Sequence, residues 1–98
     1  MCGVTAGGPS LEGVDLSTAA VVQGVVLHGG EPVQGAHVRL LDRAGEFTAE
    51  VPTSATGQFR FFAAPGRWTL RTLAPRAEVV DRSVVAAIGQ VADLQIAV

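Results

Sequence analysis

A single cysteine, Cys2, two histidines, His28 and His37, and seven arginines are the side chains of this 98-residue chain with the most chemistry to offer. Cys2 follows a methionine, and its small side chain favours removal of Met1. Cys2 would then carry a thiol and a free α-amine on one carbon. The partly cationic amine lowers the thiol's pKa and raises the fraction of reactive thiolate. The alternative is an inert terminal cysteine. His28 and His37 come with no second cysteine and no paired carboxylates, so no metal site and no cofactor are expected. No Ser/His/Asp order and no carboxylate pair at catalytic spacing stands out, and Asp15, Asp42 and Asp81 read as turn or surface residues. The expectation is a protein that is not an enzyme. Arg39, Arg60, Arg67 and Arg71 fall on solvent-facing strand positions. Two readings stand: Arg39, Arg60 and Arg71 bind an anion or an acidic partner, or these arginines pair across strands with Glu46 and Glu50.

Composition narrows the field of partners. The net charge is −2, which gives no electrostatic footprint for nucleic acid. All seven basic residues are arginine, and lysine, asparagine and tyrosine are absent, as a GC-rich genome would encode. One cysteine cannot close an intramolecular disulfide, which fits a reducing compartment. No basic leader segment and no apolar run of spanning length is present, so no membrane association is expected and the predicted location is the cytoplasm. Hydrophobic residues make up 48% of the chain and charged residues only 16%. A thin domain hides that much apolar surface poorly, so contact with a partner or with another copy is expected.

The elements that must position these groups are strands. Residues 1–18 hold four glycines and a proline without a sustained period and read as a flexible arm. Seventeen flexible residues span roughly 20–25 Å, enough for Cys2 to reach a partner's site. From residue 19 the pattern turns to short β-branched runs: Val21 to Leu27, Ala36 to Leu41, Glu46 to Val51, Phe59 and Phe61, Trp68 and Leu70, Glu78 to Val85, and Val91 to Val98. Val38 and Leu40 alternate with His37 and Arg39, and Phe47, Ala49 and Val51 alternate with Glu46, Thr48 and Glu50. Turn residues recur every 8–12 positions, at Gly29-Gly30, Asp42 to Gly45, Ser54 to Gly57 and Ala63 to Gly66, the signature of a sandwich or barrel. The predicted fold is all-β: a seven-stranded antiparallel β-sandwich over residues 19–98, with Trp68, Phe59, Phe61, Val38 and Leu40 between the sheets. Leu41, Phe62 and Leu73 fall out of phase with the core set and are expected to form an outward apolar patch that supports association.

Four spaced blocks carry a resemblance: Val22-Gln-Gly24-Val-Val26, Gly35-Ala36-His-Val38-Arg-Leu40, Thr56-Gly57-Gln-Phe59-Arg-Phe61 and Pro65-Gly66-Arg-Trp68-Thr-Leu70. Together they resemble the carboxypeptidase regulatory-like domain, a Greek-key sandwich of transthyretin (prealbumin) type. Each block has a physical reason. Gly24 sits mid-strand where a side chain would clash, Gly35 and Gly57 permit φ above zero at strand entries, and Pro65-Gly66 is a turn pair. Transthyretin-like hydrolases of purine breakdown carry a C-terminal motif with tyrosine. This chain runs Gln95-Ile-Ala-Val98 instead, so that activity is not expected. The Met1-Cys2 start and the segments from Val38 to Asp42, Glu46 to Val51 and Ser54 to Arg71 are similar to one actinobacterial family of sulfur-metabolism proteins encoded beside a thiosulfate sulfurtransferase. That resemblance implies a non-catalytic accessory module with the sulfurtransferase as partner. Two alternatives stay open: a persulfide carrier that accepts sulfur on Cys2, or a structural, oligomerising sandwich.

Overall fold

Alternating apolar and polar residues, cut by glycine-rich turns, produce eight strands in the computed structural model, which describes residues 19–98. They are β1 (Ala20–His28), β2 (Glu31–Pro32), β3 (His37–Leu41), β4 (Phe47–Pro52), β5 (Gln58–Ala63), β6 (Gly66–Leu73), β7 (Val80–Ala86) and β8 (Val91–Ala97). Seven of these match the expected runs; the eighth is the two-residue β2, which closes a hairpin on β1. In the first sheet β1 is central. Gln23 faces Arg60 of β5 on one side and Asp93 of β8 on the other, and β2 follows β5 along the same edge. The second sheet runs β4-β3-β6-β7. No helix among the described residues is long and apolar enough to cross a membrane.

The core lies between the sheets. Val22 and Val26 of β1, Val38 and Leu40 of β3, Phe59 and Phe61 of β5, Leu70 of β6 and Ile96 of β8 are all buried in one cluster. Burying each such side chain contributes about 1.5–3 kcal/mol. The rings of Phe59 and Phe61 sit 6.2 Å apart at an interplanar angle of 56°, a tilted arrangement that suits aromatic pairs. Gly24 makes this packing possible. A Cβ there would strike the Leu94 carbonyl oxygen and come within 2.9 Å of the Phe59 ring. Gly35 and Gly57 adopt φ of +74° and +78°, as their place at strand entries requires.

Three expectations need correction. The sheets are not wholly antiparallel, because β8 runs parallel to β1 from Val21↔Val91 to Leu27↔Ala97. Alternation records which face a residue takes and carries no information on strand direction. Trp68 does not lie fully between the sheets. It is half-buried against the edge of the core, where its indole N–H donates to the Ala64 carbonyl at 2.9 Å. A polar ring nitrogen needs such a partner, which draws the residue to the margin. Leu41 is buried at 5% exposure, not outward and free, and the β3–β4 register shifts between Leu40 and Leu41. A bulge at that step alters the local twist, so simple alternation no longer describes the strand end.

Candidate functional site

The outer face of the second sheet carries a row of charge. In the antiparallel register Glu50 on β4 faces Arg39 on β3, Arg39 faces Arg71 on β6, and Arg71 faces Asp81 on β7. Directly opposed residues bring their Cβ atoms to about 4.5–5.5 Å, so the row is continuous across four strands. Arg39 Nε donates to Glu50 Oε1 at 2.6 Å. Arg71 grips Asp81 with two parallel bonds, Nε to Oδ1 at 3.0 Å and Nη2 to Oδ2 at 3.1 Å. His37 Nδ1 lies 3.3 Å from the other Glu50 oxygen.

These pairings set the electrostatics. The hydrogen bond from Arg39 holds the Glu50 carboxyl below its ordinary range, and the bond from Arg71 does the same for Asp81. Asp81 in turn raises the Arg71 guanidinium further. The carboxylates flank the row while the two cations stand side by side at its centre. Both Nη groups of Arg39 and one of Arg71 have no hydrogen-bond partner among the described residues. Chemically, this is a pair of solvent-facing guanidinium groups whose open donors suit a carboxylate or an oxyanion.

Arg60 does not join them. It stands on β5 in the first sheet, where its Nε donates to Gln23 Oε1 at 2.8 Å. Gln23 Nε2 lies 3.4 Å from Asp93 Oδ2, completing a polar chain over three strands. Burial pushes the Arg60 pKa down and the Asp93 charge pushes it up. Sequence reasoning missed Gln23, which is only 7% exposed on the most buried strand, and it read Asp81 as a turn or surface residue, which is exposed as expected but also pairs with Arg71. The available signal was strand register: both residues stand opposite an arginine once the pairing is known. Arg67 is exposed near Asp42 and Trp68, beside a cleft of about 360 Å³. Asp42 behaves as a turn residue, its Oδ1 accepting from the Ala44 and Glu46 N–H groups at 2.9 Å each.

The expected apolar patch is not assembled. Phe62 is 60% exposed on β5 of the first sheet, whereas Leu41 is buried and Leu73 half-buried in the second. Within that sheet Leu41 faces Thr69 and Leu73 faces His37, four register steps apart. Cys2 and the expected arm over residues 1–18 lie outside the described residues.

Comparison with known proteins places this geometry in context. Over 62 residues the chain is 63% identical to an uncharacterised protein of Mycolicibacterium smegmatis, covering 62% of this chain and 69% of that one. An uncharacterised protein of Mycobacterium tuberculosis is 64% identical over 61 residues, and the match spans 61% of each chain. Among solved structures, Klebsiella pneumoniae 5-hydroxyisourate hydrolase superposes with a TM-score of 0.61 at 26% identity, over 80% of this chain and 88% of that one. The major pilin subunit BcpA of Bacillus cereus gives a TM-score of 0.70 at 16% identity, over 82% of this chain but 28% of the pilin. These neighbours share the transthyretin-like sandwich, a fold that hosts unrelated functions. The family profile described as Protein of unknown function (DUF1416) matches residues 2–98, and this chain belongs to that family.

Proposed function

We propose that this protein is a non-catalytic binding module, an accessory to a thiosulfate sulfurtransferase, that engages its partner through the outer face of the second sheet. The observation that carries the reading is the Arg39–Arg71 pair, two cations fixed side by side by strand register and by flanking carboxylates, with donors left open to solvent. An acidic surface group or a small oxyanion would complete those donors. Flat strands hold the two groups more rigidly than a loop would, which lowers the cost of binding. The link to sulfur metabolism rests on the resemblance carried by Met1-Cys2 and the segments from Val38 to Arg71.

The test is calorimetric titration of the protein into the thiosulfate sulfurtransferase, beside the double variant Arg39→Gln/Arg71→Gln. Binding that weakens with added salt, and at least tenfold in the double variant, is expected. Equal binding by wild type and variant, or none by wild type, overturns the proposal. Intact-mass measurement after incubation with thiosulfate and the enzyme separates the alternative. A gain of about 32 Da on Cys2, one sulfur atom, makes the protein a persulfide carrier instead.

A further inference from the structure

The β1–β2 hairpin builds a second, independent feature at one end of the sandwich. Its two-residue tip, Gly29-Gly30, has φ of +59° and +85°, positive at both positions as a tight primed turn demands. The turn sets His28 directly opposite Glu31, and antiparallel partners project to the same side. His28 Nδ1 lies 2.8 Å from the main-chain oxygen of Val98. An oxygen of that kind only accepts, so Nδ1 is the donor in this bond.

His28, Glu31 and Gln34 form the polar rim of a cavity of about 340 Å³, with Val33, Ala74 and Val98 among its apolar walls. The walls are held in place. Val33 N–H donates to the Val26 carbonyl at 2.9 Å, and the Val33 carbonyl accepts from the buried Thr53 hydroxyl at 2.6 Å. Val98 N–H donates to the Leu27 carbonyl at 2.9 Å. Gly57 leaves room for this junction, since a Cβ there would sit 2.7 Å from the Val26 oxygen and 3.1 Å from the Val33 nitrogen.

We infer that this cavity is a binding site for a small organic amine, a primary ammonium group on a short apolar stem. The Glu31 carboxylate supplies the opposite charge. The Gln34 amide oxygen supplies a further acceptor, and Val33, Ala74 and Val98 receive the stem. No arginine is among the described residues that line the cavity, so no guanidinium there favours an anion. Among the described residues no three of His, Cys, Asp and Glu converge. One imidazole and one carboxylate fall short of the three or four protein ligands that hold zinc, so the donor set suits an organic cation better than a metal.

The experiment is a ¹H–¹⁵N chemical-shift titration of the full chain with cyclohexylamine, beside cyclohexanecarboxylate, which presents the same stem with the charge reversed. Saturable shifts at the amides of Glu31, Gln34 and Val98 are expected with the amine, at a dissociation constant of order 1 mM, as suits a ligand of about seven heavy atoms. The carboxylate should produce none. Glu31→Gln, an isosteric change at an exposed position, should weaken amine binding about fivefold or more, through loss of the charge-assisted bond. Absence of saturable shifts in wild type, equal response to the carboxylate, or unchanged affinity in Glu31→Gln overturns the inference. None of these readouts involves a sulfurtransferase, so the outcome is separate from that of the proposed function.

Discussion

The outer faces of the two sheets use the same device in different surroundings. On each, polar side chains stand opposite one another across neighbouring strands: Arg60–Gln23–Asp93 on the first sheet, and Glu50–Arg39–Arg71–Asp81 on the second. On the first sheet the central residue is buried, with Gln23 at 7% exposure beside Val21 at 0%. On the second every member is wet, the side chains of Arg39 and Arg71 being 43% and 42% exposed. Desolvation then reverses the sign of the effect on arginine: burial lowers Arg60, while the bond to Asp81 raises Arg71. A cross-strand polar chain thus has a buried centre on one sheet and solvent-facing donors on the other.

The largest expected effect attacks the register that builds the dry chain. Gly24→Ala forces a Cβ against the Leu94 carbonyl and the Phe59 ring, and separates β8 or β5 from β1 on either side of Gln23. A loss of about 3 kcal/mol is expected, at the upper end for overpacking because one obstacle is backbone, read as a lower urea midpoint. A milder change tests the comparison itself. Gln23→Ala removes the Arg60–Gln23 bond at a buried position and should cost about 1–2 kcal/mol, against less than about 1 kcal/mol for Arg39→Ala on the wet face. Equal losses would break the distinction between the faces.

The smallest effect is electrostatic. Glu50 and Asp81 have folded-state pKa values below their ordinary 4.5 and 3.8. Below those ordinary values the unfolded chain therefore takes up protons that the folded one still refuses. The stability these carboxylates contribute is present above the ordinary values and drains away as pH falls through the lowered ones. Denaturation midpoints measured from pH 6 down to about pH 2 should fall less steeply for Glu50→Gln/Asp81→Asn than for wild type. Parallel curves would show that the ion pairs leave the folded state's proton uptake unchanged.

Most of the fold was legible in the residues. Seven strands and most of their inward sets follow from period two, because a side chain's face alternates with each step along an extended backbone; Phe47, 63% exposed beside the β3–β4 register shift, and Trp68 are exceptions. Gly24 and Gly57 were legible too, since only glycine tolerates a close carbonyl or a positive φ there. The site was less legible. Arg39 and Arg71 could be named, but Arg60 could not be separated from them, because facing direction says nothing about which sheet a strand joins.

What the sequence by itself determined is therefore local: strand positions, turn positions, and the face of each residue wherever the ladder is regular. Only the tertiary structure decided that β8 runs parallel to β1, that Leu41 is buried at a bulge, that Trp68 moves to the margin for a carbonyl, and that His28 meets Val98. The β1–β8 and His28–Val98 contacts join segments 70 residues apart in the chain, while the Leu41 bulge and the Trp68–Ala64 bond are short-range departures from regular alternation. Their energies depend on partners that a period of two residues cannot encode, and they are settled only when all the strands pack together.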